Sequence, residues 1–149
     1  MTVLLPDLIY RDDAFYSGLA VEFDAQSGRI VRIAHPLELD ASDAVRLPGR
    51  ALMPGFVNAH SHAFQRLIRG RMQWRPADDS VANFWSWREA MYDAVLRLSP
   101  EDVYDASRYC FIEMLRAGIT TVGEFHYVHN APDGSPYGDR AELARRVIS

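Results

Sequence analysis

The sequence predicts an α/β protein, in which a strand-rich N-terminal segment precedes the first strands of a parallel sheet. Two observations support this class. Short β-rich segments alternate with turn residues over the first third of the 149-residue chain. Residues 56–60 are then predicted as a short apolar strand and residues 119–125 as a buried strand, with a long helical stretch between them. Because parallel strands require a crossover between them, this second pattern predicts a βαβ unit.

The N-terminal segment is expected to form a small sheet. Residues 19–23 and 30–33 have the composition of strands, and the turn residues 24–28 between them predict a β-hairpin. Residues 45–47 predict one more short strand, which Pro48-Gly49 is expected to end with a turn. Strands this short are typical of the edges of a sheet.

Three helices are predicted, over residues 83–98, 100–117 and 139–149. The second has the clearest boundaries, because Ser99 is a favoured N-cap, Pro100 suits the first helical position and Gly118 is a favoured stop. Asp139 is expected to cap the third helix. Residues 63–79 show no clean period and are predicted to be a long connection.

Composition excludes several classes of function. The net charge of -4 gives no electrostatic reason to expect nucleic acid or an anionic membrane as a partner. No apolar segment approaches the ~20 residues of a membrane span, and no signal peptide is recognised, so a cytoplasmic location is expected. Cys110 is the sole cysteine, which rules out an intrachain disulfide, and it is predicted to be a buried helix residue.

The strongest functional motif is His60-Ser61-His62, at the end of a predicted strand that begins after Pro54-Gly55. Residues i and i+2 of a strand point to the same side, so the two imidazoles can share one metal ion. Two unrelated surface histidines are the alternative.

A catalytic zinc ion usually takes three protein ligands and an open position. Further candidate ligands follow the second strand or lie on it: Glu124, His126, His129 and Asp133. For His126 and His129, a loop position or a supporting hydrogen bond explains the residue equally well.

Residues 52–62 resemble the metal-binding signature that opens the barrel of the amidohydrolase superfamily. Residues 63–66, 84–88 and 117–129 are similar to blocks of the formimidoylglutamate deiminase family within it. The resemblance extends over essentially the whole chain, which corresponds to the N-terminal part of such an enzyme.

This resemblance implies a (β/α)8 barrel accompanied by a small β-sandwich built from both ends of the chain. Residues 1–53 would then be a sandwich segment, and residues 54–149 the opening, truncated part of the barrel. The remaining metal ligands, a histidine and an aspartate, would lie on later strands together with the acid and base groups. We therefore expect no catalytic residue within this stretch, and no activity from it alone.

The resemblance also implies roles for five side chains. His60 and His62 would be zinc ligands, with another divalent metal as the alternative. Gln65, Arg88 and Tyr127 would contact the substrate, Arg88 across a dimer interface. A guanidinium suits a carboxylate because it binds both oxygens at once. From the residues alone, a surface salt bridge for Arg88 and a half-buried core ring for Tyr127 stay open.

The implied reaction is the hydrolysis of N-formimino-L-glutamate to N-formyl-L-glutamate and ammonia, a step of histidine catabolism performed by a homodimer. One alternative is another amidohydrolase, such as an aromatic-base deaminase or an imidazolonepropionase-like enzyme. Arg88 and Tyr127 argue against it, because they favour an acidic substrate. A second alternative is a non-catalytic piece, either a truncated gene product or an incomplete sequence record.

Overall fold

A computed structural model of the chain describes residues 1–71 and 83–149. They form two compact units, Met1–Pro54 and Gly55–Ser149. In these two ranges, no helix combines the length and the hydropathy that crossing a membrane requires.

The unit Met1–Pro54 contains one five-stranded sheet. Its strands are β1 Thr2–Arg11, β2 Ala14–Tyr16, β3 Ala20–Phe23, β4 Ile30–Ala34 and β5 Val45–Leu52. Strand β1 pairs antiparallel with β2 and β3, and parallel with β5. The predicted hairpin is confirmed, since β3 and β4 are antiparallel neighbours. Strand β1 was not predicted, and its ten residues bond to three other strands.

Strand β5 corrects the prediction that Pro48-Gly49 ends a short strand with a turn. The strand continues to Leu52, and the pairing with β1 shifts register between Pro6 and Leu8. Gly49 has φ +70, a conformation that glycine adopts without strain, and its amide donates to the Asp7 carboxylate at 2.7 Å. The irregular pairing falls at Pro48-Gly49, so the dipeptide interrupts the ladder without ending the strand.

The unit Gly55–Ser149 is built around two parallel strands. In chain order its elements are β6 Phe56–Ser61, a 3-10 helix Ala63–Ile68, α1 Phe84–Val95, α2 Pro100–Arg116, β7 Ile119–Glu124 and α3 Glu142–Ile148. Strands β6 and β7 are hydrogen-bonded in parallel, which confirms the predicted βαβ unit. Gly55 lies directly against the Thr120 side chain, so a Cβ at this position would clash with it.

Helix boundaries follow local chemistry. Ser99 Oγ accepts from the Asp102 amide at 3.2 Å, and the Asp102 carboxylate accepts from the Ser99 amide at 2.9 Å, so α2 begins with a capping box as its sequence predicts. Helix α3 begins at Glu142 instead of after Asp139, because the Asp139 carboxylate accepts from the Ala141 amide and closes a turn first.

A hydrophobic core lies between the helices and the 3-10 helix. Its buried residues are Phe64, Ile68, Met91, Leu98, Val103, Val128, Leu143 and Val147. Residues 63–68 of the predicted connection are therefore a buried 3-10 helix, while residues 72–79 lie outside the described residues.

Two burial predictions were wrong. Cys110 is half-buried, and β7 contains no fully buried residue, because β7 has a single strand beside it in the described sheet.

Candidate metal centre

The rings of His60 and His62 lie side by side at the C-terminal end of β6. Their Nε2 atoms are 3.0 Å apart, and the ring centroids are separated by 4.8 Å with the planes at 80°. Ser61 between them is buried and points to the other side of the strand, as the two-residue period of a strand requires. The structure thus brings the two predicted ligands together on one side of the strand.

A hydrogen bond to the residue that follows β7 fixes the tautomer of His62. Its Nδ1 atom is 2.8 Å from the main-chain oxygen of Phe125. A carbonyl oxygen accepts and does not donate, so Nδ1 carries the proton. The lone pair of His62 therefore lies on Nε2, the nitrogen that faces His60. Metal-ligating histidines are commonly oriented by such a bond from the second ring nitrogen.

The paired nitrogens fit the dimensions of a zinc site. Two nitrogens bound at 2.0–2.1 Å to one tetrahedral zinc ion lie about 3.3 Å apart. The observed 3.0 Å is close to this separation. In residues 1–71 and 83–149, no group of three or more His, Cys, Asp or Glu side chains could hold a metal ion. The arrangement is therefore half of a metal site, with two candidate ligands and the tautomer that ligation by His62 Nε2 requires.

Glu124, another candidate ligand, binds the main chain instead. Its Oε1 atom accepts from the Ala63 amide at 2.7 Å, directly after His62. Among the described residues Oε2 is buried and has no hydrogen-bond partner. Glu124 therefore braces the point at which β6 passes into the 3-10 helix.

The loop candidates make local contacts. His126 Nε2 donates to the Val128 oxygen at 2.5 Å, and burial lowers the pKa of His126. The His129 ring is 5.7 Å from the His126 ring. Asp133 accepts from the amide and hydroxyl of Ser135, which hold the pKa of its carboxyl below the ordinary value. The contacts of His126 and His129 fit the loop alternative, and the Asp133 carboxylate binds Ser135.

Gln65 and Tyr127 lie beside the histidine pair. Gln65 Nε2 donates to Tyr127 Oη at 2.5 Å, and that hydroxyl donates to Met91 Sδ at 3.1 Å. The Tyr127 ring meets the His62 ring edge-on, with centroids 5.0 Å apart. Burial raises the pKa of Tyr127, so the phenol is neutral at ordinary pH. Two of the three predicted substrate contacts are thus next to the candidate ligands.

Arg88 lies on α1 and makes a different set of contacts. Its Nε and Nη2 atoms donate to Tyr92 Oη at 3.1 and 2.9 Å. The guanidinium also lies over the rings of Trp85 and Tyr92, at 5.7 and 5.1 Å from their centroids. Among the described residues it pairs with no carboxylate. The structure does not bring Arg88 into contact with Gln65 or Tyr127.

Two supporting contacts were missed by reasoning from sequence. Arg66, next to Gln65, binds Glu113 of α2 with both Nε and Nη2, at 2.5 and 3.1 Å. This pairing raises the pKa of Arg66 and lowers that of Glu113. The other contact is the Phe125 carbonyl, which as a main-chain group has no signature in the sequence. The opposite charges of residues 66 and 113 are visible in the sequence, but the sequence does not show that the two side chains lie close together.

Comparisons with known proteins show which family the chain resembles. The model of the amidohydrolase family matches residues 51–146. Formimidoylglutamate deiminase of Pseudomonas aeruginosa is 44% identical over 127 residues, which cover 85% of this chain and 27% of that protein. A 5-methylthioadenosine/S-adenosylhomocysteine deaminase of Pelotomaculum thermopropionicum is 31% identical over 153 residues, which cover 99% of this chain and 32% of that protein. The chain therefore spans about a third or less of the length of these curated relatives.

Solved structures extend the likeness to the fold. An amidohydrolase from Brucella melitensis superposes with a TM-score of 0.85 and 32% identity, over 99% of this chain and 31% of that one. An adenosine deaminase from Xanthomonas campestris, solved with bound zinc, superposes with a TM-score of 0.61 and 24% identity. The match covers 97% of this chain and 31% of that one. The second likeness concerns the fold alone.

Proposed function

The chain belongs to the amidohydrolase family, and from this premise we propose that the whole protein hydrolyses N-formimino-L-glutamate to N-formyl-L-glutamate and ammonia. One observation carries the proposal: the hydrogen-bonded pair of Gln65 and Tyr127 lies against the ring of His62. Polar groups that can hold a substrate are therefore adjacent to groups that can hold a metal ion. The 44% identity to a formimidoylglutamate deiminase supports this substrate.

His60 and His62 are proposed to hold zinc through their Nε2 atoms, together with ligands from the rest of the whole protein. When bound, zinc supplies the Lewis acidity that makes water a nucleophile near pH 7. This chain's contribution is orientation. The proton stays on His62 Nδ1, which donates it in a hydrogen bond to the Phe125 carbonyl, so Nε2 keeps its lone pair directed at the site.

In the proposed reaction, water adds to the formimino carbon, the bond to the terminal nitrogen breaks, and that nitrogen leaves as ammonia. Tyr127 Oη and the Gln65 amide are proposed to hydrogen-bond the substrate beside this carbon. Both groups are partly buried, and hydrogen bonds are stronger where water is excluded. We assign no acid or base role within this chain, because the candidates among its described residues make other contacts.

Arg88 is proposed to bind a carboxylate of the substrate across the interface of a homodimer. Its guanidinium is oriented by the Tyr92 hydroxyl and two aromatic rings, which leaves it without a bound anion among the described residues. A guanidinium held in one orientation by its neighbours loses less entropy when it binds a carboxylate.

For the architecture, we propose that β6 and β7 open a (β/α)8 barrel from residue 54 onward. Residues 1–53 are proposed to contribute to a small β-sandwich. The Brucella melitensis likeness, which covers 99% of the chain, supports an amidohydrolase architecture. In such barrels the sites lie at the C-terminal ends of the strands, and His60 and His62 lie at that end of β6.

Deamination of an adenosine-type substrate is the second candidate. It has a specific basis, since the Pelotomaculum thermopropionicum deaminase is 31% identical over 99% of this chain. Both candidates predict hydrolysis of a C–N bond with release of ammonia. They differ in the substrate, which carries carboxylates in one case and an aromatic base in the other.

An assay of ammonia release with each substrate distinguishes the two candidate functions. The whole protein, purified with zinc, is assayed with N-formimino-L-glutamate and, in parallel, with 5-methylthioadenosine. The proposal expects turnover of the first compound and at least 100-fold lower kcat/KM for the second, a difference of about 2.7 kcal/mol. A preference for 5-methylthioadenosine would replace it with the second candidate.

A further inference from the structure

The hydrogen-bond ladder between β6 and β7 changes partners just after the histidine pair. Phe125's amide donates to the Ser61 oxygen at 2.9 Å, as a parallel ladder requires. In a regular parallel ladder, the next bond would join the amide of residue 63 to the carbonyl of residue 125. Instead, Ala63's amide donates to Glu124 Oε1, and the Phe125 oxygen accepts from His62 Nδ1.

We propose that Glu124 is a positioning residue for the metal ligand His62. Its carboxylate takes the Ala63 amide out of the ladder, and this leaves the Phe125 carbonyl for the His62 ring. The inference rests on the proposed function, because it assumes that His62 is a ligand. Glu124 itself has no ligand role in it.

Burial makes this exchange of partners necessary. Ala63 is completely buried, so its amide cannot turn to water when it loses an acceptor. If the Glu124 carboxylate did not reach this amide, a regular ladder would pair the amide with the Phe125 oxygen. His62 Nδ1 and the Ala63 amide would then compete for that oxygen. Whenever the amide wins, the His62 ring is free to rotate and to move its proton to Nε2, which removes the lone pair needed for a metal.

The register supports the same reading. Glu124 is paired with Ser61, two residues before Ala63, so its side chain passes His62 to reach the Ala63 amide. Pairing between the strands is irregular from Asn58 to Ser61. The carboxylate thus maintains the contact between the strands where their main-chain pairing ends.

Two conservative substitutions separate positioning from a direct effect of charge. Glu124→Gln keeps an acceptor oxygen at the same reach and removes the charge. Glu124→Asp keeps the charge but is one methylene shorter, so its oxygen falls short of the Ala63 amide. Glu142→Gln on α3 is the matched control, because Glu142 lies on a helix and pairs with Arg146.

The experiment measures the zinc dissociation constant of the whole protein by competition with a chelator. Positioning predicts that Glu124→Asp weakens zinc binding about tenfold, while Glu124→Gln and the control stay within about threefold of the wild type. If Glu124→Gln is the weaker variant, or if Glu124→Asp binds like the wild type, the proposal is overturned.

A second readout does not depend on zinc. Long-range ¹H–¹⁵N spectra of the metal-free protein report which nitrogen of His62 is protonated, with the signal assigned by its loss in His62→Gln. We expect Nδ1–H in the wild type and in Glu124→Gln, and mixed tautomers in Glu124→Asp. Equal zinc affinity of wild type and His62→Gln would refute the metal site. The spectra would still decide whether Glu124 orients the ring, and an unchanged tautomer in Glu124→Asp would refute that.

Discussion

Gln65 and Tyr127 are separated by 62 positions in the chain and joined by a hydrogen bond of 2.5 Å beside the ring of His62. The 3-10 helix supplies the first residue, and the segment after β7 supplies the second. The contact therefore forms only when the βαβ unit closes. It links the candidate metal ligands to the groups proposed to hold the substrate.

Removing the Tyr127 hydroxyl should weaken substrate binding more than turnover. Tyr127→Phe keeps the ring against His62 and removes the hydroxyl's proposed hydrogen bond to the substrate, so we expect KM for N-formimino-L-glutamate to rise about tenfold. Zinc content should stay unchanged. Steady-state kinetics with metal analysis measures both, and Tyr104→Phe on α2 is the control. An unchanged KM would mean that the hydroxyl serves packing against Met91.

Either histidine of the pair should be required for metal retention. His62→Ala and His60→Ala each remove one of two adjacent ligands, and loss of a ligand should weaken zinc affinity at least 100-fold in the whole protein. Chelator competition gives the constants. His35→Ala, in the N-terminal unit, is the control and should bind zinc normally. Full zinc retention by both variants would contradict the proposed site.

The role of Arg88 can be tested by Arg88→Met, which keeps a flexible apolar side chain and removes the guanidinium. If Arg88 binds a substrate carboxylate, KM should rise about 10- to 100-fold, since a hydrogen bond to a charged group is worth about 1.5–3 kcal/mol. Arg97→Met, just after α1, serves as the control. A variant with normal KM for N-formimino-L-glutamate would favour a substrate without a carboxylate.

The capping box of α2 should make stability depend on pH at the acid end. The hydroxyl and amide of Ser99 hold the pKa of Asp102 below its ordinary value of 3.8. A carboxyl with a depressed pKa in the folded state stabilises the fold above its unfolded pKa, and this contribution is lost as pH falls through the folded value. Ser99→Ala should therefore lower the free energy of unfolding by about 1 kcal/mol at pH 7 and by less below pH ~3.

Urea unfolding at both pH values measures this difference. Ser42→Ala, on a surface turn of the N-terminal unit, is the control. An equal loss at both pH values would show that the Asp102 carboxylate takes no part in the cap.

Features decided by neighbouring residues were predictable from the sequence. The start and stop of α2 follow from Ser99, Pro100 and Gly118, and the common side of His60 and His62 follows from the period of a strand. These signals lie within a few residues of the structures they determine. The parallel pairing of β6 and β7 was predictable for a related reason, because a helical crossover dictates it.

Features decided by distant partners were not predictable. Pro48-Gly49 resembles a turn, and only its pairing with β1, where Asp7 binds the Gly49 amide, shows that it lies within a longer strand. Glu124 resembles a metal ligand, and only its contact with the Ala63 amide shows what it binds. In both cases the deciding interaction joins a side chain to a main-chain amide. Any residue except proline provides such an amide, so it leaves no trace in the sequence.

The pairing of β1 with β5 has a consequence for folding during synthesis. Leu4 of the first strand pairs with Val45, so this edge of β1 cannot be covered until about forty further residues have been made. At ~5–20 residues per second, translation leaves the edge open for roughly 2 to 8 seconds. An unpaired strand edge is a template for association with other chains. The nascent protein should therefore be most exposed to aggregation, and most in need of a chaperone, before Leu52 leaves the ribosome.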